Sequence, residues 1–242
     1  MKLAAFDLEI ADPIPEGKNW REARPRISCA ALAKRDYDGE VQVSYWQGEP
    51  AMSQDECRFM REDLSRVVEQ GYTLLGWNST SFDLSLLSEQ SGQVRECAEL
   101  ALNHVDLMFA VVCAKGHRLG LNRALIGMGF KGKKHEVTLK GGEVIAEMNG
   151  ALAPKMWREG ETEAVLTYLH DDVVELLKLA EKIEQVKALW WVSNSGNPQS
   201  IPLPSLPTVL ECLTWPERID PLVDRRESYN WIPSDMLTER KG

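Results

Sequence analysis

The sequence lacks several things, and each absence narrows its class. No stretch approaches the run of about 18 apolar residues that a membrane-spanning helix needs, so no such helix is expected. The opening MKLAAFDLEI has no apolar signal core and meets acid at Asp7 and Glu9, so secretion is not expected and a cytoplasmic location is. The five cysteines (Cys29, Cys57, Cys97, Cys113, Cys212) are odd in number and include no Cys-x-x-Cys pair. That argues against a zinc ribbon or a disulfide scaffold and for free thiols in a reducing compartment. Positive charge is in deficit: 28 Lys and Arg face 37 Asp and Glu, for a net charge of −9. A protein that coats duplex nucleic acid by bulk charge is thereby disfavoured, while an enzyme with a locally acidic metal site is not. Internal repeats and low-complexity blocks are missing as well. What remains is 242 residues, 43% hydrophobic and 27% charged, enough for one domain with a proper core, or one domain and an appendage.

Hydrophobic patterning predicts strands at Leu3–Ile10, Arg26–Lys34, Glu40–Trp46 and Tyr72–Trp77, with Asp36-Tyr37-Asp38-Gly39 turning the second into the third. Helical spacing covers Gln54–Glu69, a segment from about Phe82, Gln93–Leu102, Asp106–Ala114 and Leu119–Met128, and is clearest over Glu161–Ile183. Asn78-Ser79-Thr80-Ser81 reads as turn and helix-cap chemistry. Lys131–Gly150, rich in Gly and Lys, reads as loop. Strands that meander first and then alternate with helices predict a mixed α/β domain over 1–195. Residues 201–242 hold six of the twelve prolines, which argues against regular helix or central strand there. Leu210, Leu213, Trp215 and Trp231 nevertheless give that stretch apolar content, so 196–242 is expected to be an irregular Pro/Trp-rich arm packed on the domain.

Side chains alternate along a strand, so Asp7 and Glu9 share one face of an apolar strand. Either the strand end is open to solvent there, or a cation offsets two carboxylates that repel each other and resist burial. Hard oxygen donors without nearby Cys or His suit magnesium or manganese better than zinc. Asp83 falls in the first turn of a helix that follows a strand, where the helix dipole alone would favour it. On the long helix the apolar stripe Val165, Leu169, Leu176, Ala180, Ile183 is interrupted at 172–173, which puts Asp172 on or beside the inward face. Tyr168 is one turn earlier on the same side, whereas Asp171 shares the surface flank of Glu175 and Lys178.

In order, these residues read Asp7-x-Glu9, Asn78-x-x-x-Phe82-Asp83 and Tyr168-x-x-x-Asp172. The set resembles the DEDD superfamily of 3′–5′ exonucleases on the ribonuclease H-like fold, in its tyrosine variant. FDLE, GWNSTSFD and YLHDDV look like its three motifs, over about residues 1–190. The likeness is to stand-alone relatives of the proofreading domain of family B DNA polymerases, because 242 residues leave no room for a polymerase domain. The resemblance implies a mixed sheet flanked by helices. It implies Asp7, Glu9, Asp83 and Asp172 as ligands of two Mg²⁺ or Mn²⁺ ions, and Tyr168 as the residue that positions the attacking water. The histidine variant would have its base at position 167, which is Thr here, and His170 is out of register. The implied reaction releases 5′-mononucleotides from the 3′ end of a single strand, DNA being favoured over RNA. An adaptor with a spent site, or a structure-selective endonuclease on the same fold, are the rival readings.

Asn78 and Phe82 are expected to shape the substrate groove, and Lys131, Lys133 and Lys134 are candidate phosphate contacts or simply a solvated loop. The string Gly127-Met-Gly129-Phe-Lys-Gly132 follows a helical pattern, not a strand, so a dinucleotide site is not expected. His104 reads as structural and Asp106 as a residue that supports the site from behind. Trp190 and Trp191 read as core or arm-docking contacts at a helix end, with base stacking as the alternative. No membrane contact is expected, and a protein partner would find the arm available.

Overall fold

Strand β1 (Leu3–Ile10) owes its central position to having apolar side chains on both faces. In the computed structural model, which describes residues 1–35, 39–132 and 136–238, it pairs antiparallel with β2 (Ile27–Arg35) and β2 pairs antiparallel with β3 (Val41–Gln47). On its other side β1 runs parallel to β4 (Thr73–Gly76), and β4 runs parallel to β5 (Val105–Asp106). The sheet order is β3-β2-β1-β4-β5. The register of β1 on β2 slips between Glu9 and Ile10, an irregularity that bends the strand where its carboxylates end. Of the expected turn, Asp36, Tyr37 and Asp38 lie outside the described residues.

Helices cover both faces. A short helix α1 (Trp20–Ala23) follows β1, started by a reciprocal Asn19–Glu22 capping box. Helix α2 (Gln54–Glu69) starts on a capping box of Ser53 and Glu56, a device worth about 1 kcal/mol. It buries Cys57, Met60, Leu64 and Val67. With α3 (Asp83–Ser91) and α4 (Val94–Asn103) it packs on the sheet face formed by Ala4, Phe6, Leu8 and Ile10. Then come α5 (Leu107–Lys115), α6 (Leu121–Gly127) and α7 (Ala153–Arg158). The opposite face, with Leu3, Ala5, Cys29, Ala31 and Ala33, is covered by α8 (Thr162–Val186). Val173 is fully buried, so the apolar stripe of α8 runs unbroken through Val165, Leu169, Val173, Leu176, Ala180 and Ile183. The expected interruption at 172–173 is therefore confined to Asp172, which lies beside the stripe.

Three expectations need correction. The segment 131–150 holds a minimal antiparallel ladder of β6 (Val137–Thr138) and β7 (Val144–Ile145) within its loop. Trp190 and Trp191 are not at a helix end but on strand β8 (Ala188–Val192), paired with β9 (Pro198–Pro202). Period-two alternation explains their split, with Leu189 and Trp191 buried and Trp190 and Val192 exposed. The arm is also more regular than its prolines suggest: it contains α9 (Val209–Leu213), a 3₁₀ turn (Arg225–Ser228) and α10 (Ser234–Thr238). Four of its seven prolines sit where they cost least, at the ends of the two-stranded ribbon (Pro198, Pro202) and just before helix starts (Pro207, Pro233). Residue 195 falls in the turn of that ribbon. Leu206, Val209, Cys212 and Ile232 are buried against the domain. All five cysteines are unpaired and buried, and among the described residues no helix is long and apolar enough to cross a membrane.

Candidate functional site

Alternation along β1 sends Asp7 and Glu9 to the face that α8 covers, while Phe6 and Leu8 face the other layer. Tyr168 and Asp172, one turn apart on α8, meet them from above. Asp83 arrives from the parallel side, at the start of α3 just after β4. All five line one cavity of about 580 Å³, with Asn78, Phe82, Trp77, Met108, Leu119 and Leu176 among the other wall residues. Glu9, Asp83, Asp172 and Tyr168 are buried and Asp7 is half-buried, so the reading of Asp7 and Glu9 as a solvated strand end is set aside.

The carboxylates strain against one another. Leu8 N–H donates to Asp7 Oδ1 at 3.1 Å and to Asp83 Oδ1 at 3.2 Å. Burial, then the charge of Asp7 and a side-chain hydrogen bond with it, push the Asp83 carboxyl well above the ordinary carboxylate range. Such an upward push is expected for a buried acidic pair without a counter-ion. Burial pushes the Tyr168 hydroxyl up as well, followed by the charges of Asp172, Glu9 and Asp7. It therefore stays a neutral O–H, hydrogen-bonded to Asp172. Cys29, opposite Glu9 across the β1–β2 ladder, is pushed up to about 12, chiefly by burial, and is a thiol rather than a nucleophile.

The β4–α3 loop is held from behind. Asp106 accepts from Asn78 N (2.9 Å) and Phe109 N (3.0 Å) on one oxygen, and from Thr80 N (2.9 Å) and Thr80 Oγ1 (2.8 Å) on the other. Ser79 Oγ and His104 Nε2 are 2.7 Å apart, and His104 Nδ1 lies 2.8 Å from the Ala101 carbonyl, so His104 is structural. The loop hydroxyls thus do not cap α3, whose capping residue Phe82 makes no side-chain bond to it. Asn78 adopts a left-handed φ of 68°, and its buried Oδ1 has no hydrogen-bond partner at the cavity wall. From the arm, Trp231 Nε1 donates to the Thr80 carbonyl at 2.8 Å. Sequence reasoning missed that contact, because nothing local links residues 80 and 231.

Lys131 is exposed and does not line the cavity, and Lys133 and Lys134 lie outside the described residues. The ionisable donors of the cavity are oxygens only, and its buried carboxylates repel; these features fit a divalent hard cation such as Mg²⁺ or Mn²⁺. Among the described residues no three acidic, His or Cys side chains converge closely enough to grip an ion as they stand, so ligation requires side-chain rotation.

A five-stranded mixed sheet with two antiparallel and two parallel pairings, helices on both faces and an acidic cavity against the central strand is a ribonuclease H-like arrangement. A family model described as RNase_H superfamily matches residues 31–184, and the chain belongs to that superfamily. The match begins after β1, so Asp7 and Glu9 precede it. Among solved structures, the chain is similar to the family B DNA polymerase from the hyperthermophilic archaeon Pyrobaculum calidifontis, at 20% identity and a TM-score of 0.51, over 75% of this chain and 24% of that one. It is also similar to E. coli Exonuclease I in complex with a dT13 oligonucleotide (14% identity, TM-score 0.35, 83% of this chain and 51% of that one). A third likeness is to Exonuclease I from Methylocaldum szegediense (15% identity, TM-score 0.32, 76% of this chain and 40% of that one). The chain thus spans about a quarter of the polymerase and about half or less of the exonucleases. No curated protein matches the chain in sequence.

Proposed function

We propose that this chain is a metal-dependent 3′–5′ exonuclease of the tyrosine DEDD type, which hydrolyses single-stranded nucleic acid, DNA favoured, to 5′-mononucleotides. The observation that carries the reading is the convergence of Asp7, Glu9, Asp83 and Asp172 with the Tyr168 hydroxyl on one cavity, from three separate segments. Membership of the RNase H superfamily and the polymerase-like fold support it.

Asp7, Glu9, Asp83 and Asp172 would hold two Mg²⁺ or Mn²⁺ ions. Such ions supply Lewis-acid stabilisation of the charge on the scissile phosphate and lower the pKa of a bound water. Tyr168, kept protonated by burial and then by its acidic neighbours, orients the attacking water with a neutral hydroxyl. The water oxygen bonds to phosphorus as the bond to the 3′ oxygen of the preceding nucleotide breaks. That oxygen leaves as a hydroxyl, and the terminal nucleotide departs with its 5′ phosphate. Asn78 and Phe82, with Leu119 and Met108, form the wall against which the terminal nucleotide lies. The reading places the site in the 1–195 domain, with 196–242 as an arm that braces it through Trp231.

The test is digestion of 5′-labelled single-stranded DNA and RNA with Mg²⁺ or Mn²⁺ and with EDTA, using the wild type and Asp172→Asn. A metal-dependent ladder that shortens from the 3′ end and is missing in the variant supports the reading. No cleavage by a folded wild type in either metal overturns it in favour of an adaptor. Cutting of a circular single strand overturns it in favour of an endonuclease.

A further inference from the structure

Beside the acidic cavity lies a small basic lip that the reaction above does not use. Arg21, on α1, reaches Ser81 Oγ at 3.5 Å and donates to the Glu227 carbonyl at 2.6 Å. Arg118 reaches the side chain of the same residue, Glu227 Oε2, at 3.8 Å. The two guanidinium groups therefore meet one residue, Glu227, from its backbone and its side chain, and the charge of Arg118, after burial, draws the pKa of Arg21 down. Arg118 directly precedes the wall residues Leu119 and Gly120, and Arg21 reaches the wall through its partner Ser81, which precedes Phe82. Trp20 joins lip and wall, since its ring meets Phe82 edge-on at 5.1 Å and carries the Arg21 guanidinium over its face at 4.8 Å.

Two like charges held together in a chain of net charge −9 need an anion. Glu227 answers this only in part. Its contact with Arg118 is long, and both side chains are more than half exposed, a geometry worth little. The cavity itself would repel an approaching phosphate backbone, and a cationic lip offsets that at the point of entry.

We propose that Arg21 and Arg118 form a phosphate clamp for the backbone of the substrate strand, on the 5′ side of the bond that is cut. The clamp rests on the exonuclease reading and deepens it: it gives the enzyme a grip on strands long enough to leave the cavity, without reading bases. Guanidinium forks suit this task, because they bind phosphate oxygens in pairs.

The test uses the full chain and a 5′-fluorescein dT12 strand. Binding is read by anisotropy in EDTA over a range of salt, and turnover in Mg²⁺ on dT12 and on a dinucleotide. Arg118→Glu and Arg118→Ala are compared with Arg95→Ala, which removes a distant exposed partner of Asp235. Arg118→Glu is expected to weaken dT12 binding roughly fivefold or more and to lower the salt slope by about 0.7 per lost phosphate contact. It should raise KM on dT12 with kcat unchanged and leave dinucleotide cleavage as in the wild type, as Arg95→Ala should for both substrates. If the Arg118 variants bind and cut dT12 like the wild type, with the same salt slope, the clamp is refuted while the exonuclease reading stands. If the wild type binds dT12 but does not cut it, the exonuclease reading fails and the anisotropy series alone decides the clamp. If the wild type does neither, both fall.

Discussion

Asp106 is the residue whose replacement should say most about how the site is built. Its two oxygens accept four hydrogen bonds at 2.8–3.0 Å, three from backbone N–H groups and one from the Thr80 hydroxyl, and it is 1% exposed. Asp106→Asn keeps the volume but turns one acceptor into a donor. Whichever way the amide is placed, its NH₂ then faces a backbone N–H, either that of Thr80 or those of Asn78 and Phe109. A buried unsatisfied donor costs about 1–3 kcal/mol, and at least two such groups are created, together with the loss of charge-assisted bonds. A destabilisation of about 3–5 kcal/mol follows, or roughly 6–20 °C in Tm for a chain of this size. Differential scanning calorimetry in EDTA reads it directly. The loop so released carries Asn78 and leads into Asp83, so kcat on a single strand should fall in fractions that remain folded, with the loss persisting well below the Tm. A variant within 1 °C of the wild-type Tm and with wild-type kcat would refute the account of Asp106 as the acceptor on which the loop is built.

Asp12 accepts from Arg26 N (3.0 Å), Arg26 Nε (2.9 Å) and Arg158 (2.6 Å), and the side-chain hydrogen bond of Arg26, above other causes, holds its carboxyl well below the ordinary range. A depressed carboxylate adds stability above the unfolded pKa of about 3.9 and loses it as pH falls through the folded value. Asp12→Asn should therefore melt lower than the wild type at pH 7, with the gap closing as pH drops below about 4; a gap that does not change with pH would refute this. Asp7→Asn should abolish cleavage yet melt at or above the wild-type temperature in EDTA, since it removes a charge that opposes Asp83; full activity would sink the site assignment. Gly127→Ala would bring a Cβ within 2.3 Å of the Trp190 carbonyl and 2.4 Å of Trp191 Cα, so α6 or β8 must move; a loss of about 1–3 kcal/mol should appear in urea melts.

What the sequence discloses follows how far each signal is local. The strands β1 to β4 and the helices α2, α3, α4 and α8 come within a few residues of expectation, because period-two and period-3.6 patterns are written in consecutive residues. The placement of the candidate-site side chains is legible for the same reason: alternation fixes the face of Asp7 and Glu9, and helical spacing puts Tyr168 one turn from Asp172. Their meeting on one cavity is not local, and only the resemblance between ordered motifs made it an expectation. Short elements escape because their signal is one cap or one proline: α1 rests on Asn19 and Glu22, and α7 has Pro154 in its first turn. The arm shows the limit most clearly. Proline density argues against regular structure, yet Thr208 caps α9 with Glu211 and places Val209 and Cys212 against the domain. Such a segment takes its conformation from the surface it covers. Within the arm Arg225 Nη1 donates to the Trp215 carbonyl; onto the domain, Val223 N–H donates to the Gly116 carbonyl and Trp231 Nε1 to that of Thr80. The last of these bonds lands on the loop that delivers Asp83, at the carbonyl of the same Thr80 whose N–H and hydroxyl Asp106 holds. The arm is thus a second support of the site loop, and removing it should cost catalysis as well as stability.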